Sequence, residues 1–204
     1  PLIQYVWEAA RRSSSLCDVL IAADSSEIAS AVAQFGGRCE LTGEHPSGTD
    51  RIAEVVRRQL PDADIIVNVQ GDEPELDPEH SDKLVALLVA DPTAPMATLA
   101  TPLSTVEQIN SPSCVKVVRS ESGSAFYFSR SPIPFVRDRS IAEVLAAGER
   151  PWLLHLGIYA YRRDFLLRLT ELPPSPLELA EKLEQLRALE AGAKLLVGVV
   201  DRHS

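Results

Sequence analysis

Positive charge is scarce in this sequence. Twenty lysine and arginine residues stand against 29 aspartate and glutamate residues, which leaves a formal net charge of −9. Non-specific binding to nucleic acid needs a basic face, so this balance argues against a nucleic-acid partner. Small anionic ligands are not excluded, because a few arginines in a cleft can bind a phosphate or a carboxylate whatever the total charge.

Cysteines and long apolar runs are also few. The three cysteines, Cys17, Cys39 and Cys114, are an odd number and form no Cys-x-x-Cys pair. This pattern excludes a disulfide scaffold and a zinc site of the usual spacing, and predicts buried free thiols. An apolar run such as 85–90 is too short to cross a membrane, so no membrane partner is expected.

The rest of the composition is that of an ordinary folded chain. Of the 204 residues, 45% are hydrophobic and 24% are charged, which predicts one domain with a sizeable core over residues 1–204. The chain opens with Pro1, and its only methionine is Met96. We therefore expect that the written sequence does not begin at the translation start.

Short apolar runs alternate with segments of helical spacing. The runs predict strands at 19–23, 65–69, 96–100, 153–161 and 195–200, a hairpin from 115–118 to 125–128, and helices after Asp24, near 50–60 and 79–90, and over 176–191. Ser175, Pro176 and Glu178 form the expected start of the last helix. This alternation predicts an α/β fold with a mostly parallel, mixed central sheet and helices on both faces.

Loops that follow strands are the first place to look for chemistry, because open α/β sheets bind ligands beyond the carboxyl ends of their strands. The loop after 65–69 contains Gln70 and Asp72. Asp72 is a candidate Mg²⁺ ligand, since this ion takes one or two carboxylates together with substrate phosphates. A turn aspartate or a helix cap is the alternative for Asp72.

A second candidate loop opens a helix at Ser47, Gly48 and Thr49. Backbone N–H groups at such a helix start can cradle a phosphate, although a plain N-cap explains the same residues. Arg51 offers fork-shaped donors to a nucleotide if it faces a cleft. An exposed structural arginine is the alternative.

The strand at 153–161 places His155, Gly157 and Tyr159 on one face, which predicts a ligand surface with a gap at the glycine. A satisfied core histidine is the alternative for His155. Glu184 and Gln185 lie on the predicted helix 176–191, where solvated residues would look the same.

The polar stretch 130–150 contains Arg137 and Arg139 and is the best candidate for a mobile or ligand-facing segment.

Taken together, these segments resemble the 3-deoxy-manno-octulosonate cytidylyltransferases, or CMP-Kdo synthetases. The matching motifs, in chain order, are HPSGTDR at 45–51, QGDEP at 70–74, HLGIY at 155–159, and PSPLE at 174–178 with LEQLR at 183–187. The QGDEP loop is shared with broader nucleotide-sugar transferases, whereas the HLGIY strand and the LEQLR segment point to the Kdo branch. The resemblance covers essentially the whole chain and implies a Rossmann-like nucleotide-sugar transferase fold.

The resemblance also implies a reaction. CTP and the sugar acid Kdo are the implied substrates: the anomeric hydroxyl of Kdo attacks the α-phosphate in line, and pyrophosphate leaves. Mg²⁺ is the implied cofactor, and Asp72 matches the family's catalytic, metal-binding aspartate. The positions around the cytidine are matched by Ser47, Gly48, Arg51 and Gln70, and those of the sugar-acid site by Arg137 or Arg139, His155, Tyr159, Glu184 and Gln185.

Which of the two arginines meets the sugar carboxylate stays open at this point. The family's product feeds lipopolysaccharide synthesis, which implies a Gram-negative cytoplasm, and its members are typically homodimers.

Two parts of the family pattern have no counterpart here. One is the opening strand with its arginine- and lysine-bearing loop, and the other is a closing Val-Asp-Thr-Pro segment whose aspartate is the second metal carboxylate. We therefore expect a single nucleotidyltransferase domain, truncated at both ends and lacking its first strand, that is inactive as written. The alternatives are a catalytically silent nucleotide- or sugar-binding homologue, and a cytidylyltransferase for another acidic sugar.

Overall fold

The computed structural model describes residues 1–73 and 77–201. Its packing divides the chain into two compact units. The first unit holds Pro1–Asp91 and Ile158–Leu172, and the second holds Pro92–Gly157 and residues 173–201. The single domain expected over residues 1–204 stays a prediction.

Helices and strands alternate along the chain. In chain order the elements are α1 (Leu2–Ala10), β1 (Leu20–Ala23), α2 (Ser26–Gln34), β2 (Arg38–Leu41), α3 (Gly48–Gln59), β3 (Ile65–Asn68), α4 (Pro78–Ala90), β4 (Met96–Pro102), α5 (Val106–Asn110), β5 (Lys116–Arg119), β6 (Ala125–Ser129), α6 (Ile141–Ala146), β7 (Leu153–Arg162), α7 (Arg163–Leu169), α8 (Pro176–Glu181), α9 (Gln185–Glu190) and β8 (Leu195–Val199). The α/β class is confirmed.

In the first unit, β1 and β2 pair in parallel through the crossover helix α2, and β3 pairs antiparallel with the end of β7. Local side chains start the helices: Ser25 caps α2 by accepting the N–H of Glu27 at 3.1 Å, and Asp77 caps α4. Val32 and Leu84 are fully buried in the core of this unit. These elements present the segments after β2 and β3 that hold the nucleotide-side candidates.

In the second unit, the strand order is β6-β5-β7-β4-β8. β4 and β8 are parallel, whereas β5 runs antiparallel to both β6 and β7. The predicted hairpin and the mixed character of the sheet are thus confirmed. The turn of the hairpin contains Gly123 at φ +90°, where a side chain would be strained. Leu99, Phe128 and Trp152 are buried in this unit, and each contributes about 1.5–3 kcal/mol of hydrophobic stabilisation or more.

The helix predicted over 176–191 is wrong as a single element. Two short helices, α8 and α9, meet at a corner where Lys182 has the left-handed φ of 55°. The physical reason is the buried ion pair between Glu178 and Arg187. In a continuous helix, residues nine positions apart lie about 13 Å apart along the axis and on opposite faces, so this pair requires a corner.

The expectation of buried thiols is also wrong in part. Cys17 is exposed, and Cys39 and Cys114 are only partly buried. Within 1–73 and 77–201, no helix combines the length and the apolar character needed to span a membrane.

Candidate active site

The start of α3 gathers three of the nucleotide-side candidates in the first unit. The hydroxyl of Ser47 accepts the N–H of Asp50 at 3.1 Å and donates to its carboxylate at 2.7 Å, so it caps the helix. Gly48 is exposed, and a Cβ built on it would lie 4.0 Å from the side-chain oxygen of Gln70. The structure thus brings Gln70 up to the helix start, where free N–H groups favour an anion.

Arg51 lies one turn further along α3 and forms an ion pair with Asp24, the residue that follows β1. Hydrogen bonding to this guanidinium lowers the pKa of the Asp24 carboxyl. The sequence suggested Asp24 only as part of a helix start, but Ser25 is the cap of α2. Asp24 instead orients Arg51, and sequence reasoning missed it because the two residues are 27 positions apart.

Glu54 anchors the loop that leads into α3. Its carboxylate accepts the N–H of Gly43 at 3.1 Å and the guanidinium of Arg58 at 2.6 Å, and it lies 2.6 Å from Nε2 of His45. These bonds, led by that of His45, lower the pKa of Glu54 to about 2. Sequence reasoning missed Glu54 as well, although its place three residues after Arg51 puts both on one helix face.

Asp72 is exposed in the turn after β3. Among the described residues its carboxylate forms no hydrogen bond and no ion pair. In this same part of the chain no group of three or more His, Cys, Asp or Glu side chains is placed to hold a metal ion. One open carboxylate is the donor that Mg²⁺ takes when substrate phosphates supply further ligands, so Asp72 fits that ion. Pro74, the end of the QGDEP motif, lies outside the described residues.

The predicted alternation along β7 is confirmed. One face is apolar and buried, formed by Leu154, Leu156, Ile158 and Ala160. The other face carries His155, Gly157 and Tyr159, of which Gly157 is exposed and the other two are partly buried. The side-chain gap at Gly157 is therefore real, as no atom lies within 4 Å of a Cβ built there.

His155 is held in one protonation state by its neighbours. The hydroxyl of Thr98 donates its hydrogen to the carbonyl of Leu156 at 3.1 Å, so the 3.0 Å contact with His155 has Nε2–H as the donor. The ring also packs nearly perpendicular to that of Phe128, with an interplanar angle of 77° and centroids 4.9 Å apart. Burial lowers the pKa of His155 to about 3. The imidazole is therefore neutral at physiological pH, with Nδ1 as an acceptor.

The two candidate arginines of the 130–150 segment differ sharply. Arg139 forms a two-pronged ion pair with Glu149, at 2.6 and 2.9 Å, which lowers the pKa of the glutamate. Arg137 is 89% exposed, and its closest ionic contact is with the adjacent Asp138, at 3.6 Å. The guanidinium group of Arg139 is thus bonded to Glu149, whereas that of Arg137 faces solvent.

The corner between α8 and α9 holds the last two candidates. Glu184 is the N-cap residue of α9 and is partly buried. Gln185 is only 5% exposed, and its Nε2 has no hydrogen-bond partner within the part of the chain that the structure describes. Buried amide donors are almost always bonded, so this one marks a position where an acceptor would be stabilised.

Comparison with known proteins shows the family. The cytidylyltransferase family model matches residues 1–195. The 3-deoxy-manno-octulosonate cytidylyltransferase of Geobacter sulfurreducens is 47% identical over 201 residues, which is 97% of this chain and 80% of the relative. That of Geotalea uraniireducens is 45% identical over 208 residues, which is 100% of this chain and 82% of the relative. The chain belongs to the 3-deoxy-manno-octulosonate cytidylyltransferase family.

Solved structures agree with this assignment. A CMP:2-keto-3-deoxy-manno-octonic acid synthetase complexed with CTP matches with a TM-score of 0.90 and 40% identity, over 99% of this chain and 80% of that one. A 4-diphosphocytidyl-2C-methyl-D-erythritol synthase from Anaerococcus prevotii matches with a TM-score of 0.57 and 12% identity, over 98% and 76%. The second likeness shows a shared fold only.

The structure also explains two motifs of this cytidylyltransferase. Glu178 of the PSPLE motif accepts two hydrogen bonds from Arg187 of the LEQLR motif, at 2.8 and 2.6 Å. Both side chains are nearly buried, with 12% and 8% exposure. The two motifs are therefore one structural unit, whose corner places Gln185.

Proposed function

We propose that this cytidylyltransferase activates the sugar acid Kdo with CTP to give CMP-Kdo and pyrophosphate. The likeness to a CTP-bound synthetase over nearly the whole chain is the observation that carries the proposal. The reacting bond forms between the anomeric oxygen of Kdo and the α-phosphorus, while the bond to the pyrophosphate oxygen breaks. Catalysis then rests on positioning and on charge stabilisation at the phosphates.

The nucleotide is assigned to the first unit. The start of α3 supplies backbone N–H groups and the exposed Gly48, which lets a ligand approach the backbone closely. Gln70 lies beside it, and Arg51 is oriented by its ion pair with Asp24. Together with Ser47, these are the positions that the family resemblance assigns to cytidine.

Asp72 would hold Mg²⁺ together with phosphate oxygens, since its exposed carboxylate has no competing partner among the described residues. The ion, when bound, neutralises negative charge on the phosphates.

The sugar acid is assigned to the polar side chains that the family resemblance places at the sugar site. Arg137 is the arginine proposed to pair with the Kdo carboxylate, because the fork of Arg139 is already bonded to Glu149. The neutral imidazole of His155 would contact the sugar acid, and Nε2 of Gln185 would donate a hydrogen bond to a sugar oxygen. Tyr159 and Glu184 are the other two residues proposed to bind the sugar acid.

The cellular setting proposed is the one that the resemblance implies: a cytoplasmic homodimer whose product enters lipopolysaccharide synthesis. Light scattering on the purified protein tests the dimer, and a monomer at micromolar concentration would contradict it.

The central experiment is the Asp72→Asn variant, made in a version of the protein that also carries the family's opening loop and closing aspartate segment. Its pyrophosphate release is assayed with CTP, Kdo and Mg²⁺. An amide is a poorer ligand for a hard cation, so turnover should fall by orders of magnitude at an unchanged melting temperature. Asp62→Asn, also at an exposed turn residue of the first unit, is the matched control and should retain full turnover. Near-normal activity of Asp72→Asn would remove the metal role of this residue.

The sugar side is tested separately with His155→Ala and Tyr159→Phe. Each variant loses one polar contact, so the KM for Kdo should rise about 2- to 13-fold while that for CTP changes little. Melting temperatures are measured in parallel. If a variant is destabilised but keeps its KM for Kdo, that residue belongs to the core alone.

A further inference from the structure

A dense polar cluster in the second unit has no part in the binding roles assigned above. It consists of Lys116 on β5, Ser129 and the adjacent Arg130 at the end of β6, and Glu181 at the end of α8, and we call it the Glu181 clamp. The segment that leads to Arg137 begins here at the end of β6, and the segment that leads to Glu184 and Gln185 begins here at the end of α8. Arg137 follows Arg130 by seven residues in sequence, and Gln185 follows Glu181 by four.

The carboxylate of Glu181 uses both oxygens to hold the end of β6. Oε1 accepts the hydroxyl of Ser129 at 2.6 Å, and Oε2 accepts the backbone N–H of Arg130 at 2.9 Å. The arginine side chain returns the contact: its Nε donates to the Glu181 carbonyl at 2.7 Å, and a terminal nitrogen donates to the Lys182 carbonyl at 3.4 Å. These carbonyls end α8, where helix carbonyls lack partners within the helix.

Lys116 fixes the same point from the other side. Its side chain is fully buried, and Nζ donates to the carbonyl of Arg130 at 2.6 Å and to that of Ser111 at 2.9 Å. Burial lowers the pKa of Lys116, and a buried ammonium needs such partners. The backbone of Arg130 is therefore held at both its N–H and its C=O.

A second anchor follows four residues later. The indole N–H of the buried Trp152 donates to the carbonyl of Pro134 at 3.0 Å. The segment that leads to Arg137 is thus tied down at two points, and the exposed arginine lies just beyond the second. On the other side of the clamp, Lys182 turns the chain in its left-handed conformation directly after Glu181.

We propose that Glu181 is a positioning residue that sets the affinity for the sugar acid without touching it. By bonding the end of β6 with its side chain and receiving Arg130 at its carbonyl, it fixes the Arg137 segment relative to the corner that carries Glu184 and Gln185. Both segments belong to the second unit. This inference rests on the proposed function for the identity of the sugar-side residues.

Two substitutions separate hydrogen-bond geometry from charge. Glu181→Ala removes both acceptors, so the KM for Kdo should rise at least tenfold while the KM for CTP stays within twofold. Glu181→Gln keeps the shape: its oxygen can accept from the Arg130 N–H, and its amino group can bond the Ser129 hydroxyl. This conservative variant should restore the KM for Kdo to within threefold of the wild type.

The control is Glu143→Ala in the same unit. Glu143 bonds only locally, closing the capping box of α6 with Ser140. Its loss should lower the melting temperature and leave both KM values unchanged. If Glu181→Ala behaves like this control, with a lower melting temperature and an unchanged KM for Kdo, the positioning role is overturned. A common rise in both KM values would overturn it too.

Amide hydrogen exchange keeps the test independent of catalysis and of variants that fold poorly. In Glu181→Ala, and in the milder Ser129→Ala, exchange should quicken at 131–136 and 183–186 and not elsewhere in the second unit. Unchanged exchange at these two segments refutes the clamp. If a version of the protein that also carries the family's opening loop and closing aspartate segment releases no pyrophosphate on addition of Kdo, the proposed function fails. The exchange result still decides whether Glu181 holds both segments.

Discussion

His155 should make the stability of the protein depend on pH. Burial lowers the pKa of its imidazole to about 3, against about 6.5 for an exposed histidine in the unfolded chain. Below pH 6.5 the unfolded state therefore binds a proton that the folded state does not. Stability is fully present above pH 6.5 and is lost progressively as the pH falls from there towards 3.

The size of this effect follows from the two pKa values. One proton bound only by the unfolded state changes the free energy of unfolding by about 1.4 kcal/mol per pH unit. From pH 8 to pH 5, an unfolded-state pKa of about 6.5 gives a loss of about 2 kcal/mol from His155 alone. That is a substantial part of the 5–15 kcal/mol that typically stabilises a domain, by order of magnitude.

The assay is urea unfolding at pH 8, 7, 6 and 5, applied to the wild type and to His155→Gln. Glutamine can keep a hydrogen bond to Thr98 but does not titrate. Other groups, such as Glu54 with its lowered pKa, contribute equally to both proteins and cancel in the difference. The wild type should therefore lose about 2 kcal/mol more than the variant between pH 8 and pH 5.

A pH-independent difference between the two proteins would refute this reasoning. It would mean that the folded state also protonates His155 near pH 6. The assignment of a neutral imidazole that donates Nε2–H to Thr98 would then be wrong.

Three further predictions concern the second unit. Arg137→Ala should raise the KM for Kdo at least tenfold in steady-state kinetics, and Arg139→Ala should raise it less, because the guanidinium of Arg139 is already bonded to Glu149. A larger rise for Arg139→Ala than for Arg137→Ala would assign the sugar carboxylate to Arg139. Arg187→Met should lower the free energy of unfolding, measured with denaturant, by about 3–5 kcal/mol, because it leaves the carboxylate of Glu178 buried without its ionic partner. Adding Glu178→Gln should recover part of this loss. Equal stability of the single and double variants would contradict a desolvated ion pair. Gln185→Leu should leave the stability of the protein unchanged or raised, because the amide donor of Gln185 has no partner among the described residues. Calorimetry should show weaker binding of Kdo to this variant. Unchanged binding would exclude Gln185 from the sugar site.

Local features could be predicted from the sequence, because their signals lie within a few residues. Apolar runs identified the strands, and Ser175 with Glu178 marked the start of α8. The hairpin of β5 and β6 followed from two short apolar runs around Gly123. The family, and with it the α/β fold, could also be identified from motifs in chain order, and both are confirmed.

The site residues themselves remain predictions, as do Mg²⁺, the homodimer and the cytoplasmic location. The structure adds what the neighbours of these residues do. It commits Arg139 to Glu149 and leaves the fork of Arg137 facing solvent, a distinction that two arginines in one polar stretch could not show.

The tertiary structure alone decided the contacts that orient the site. Arg51 meets Asp24 across 27 residues, and Arg130 meets Glu181 across 51. The break at Lys182 belongs to the same group, because a good helical pattern over 176–191 carries no local stop signal there. A propensity is a free-energy preference of a few tenths of a kcal/mol to about 1 kcal/mol per residue. A straight helix would break the buried ion pair between Glu178 and Arg187, and this cost is larger than the helix propensity. The tertiary contact therefore decides the backbone conformation at Lys182.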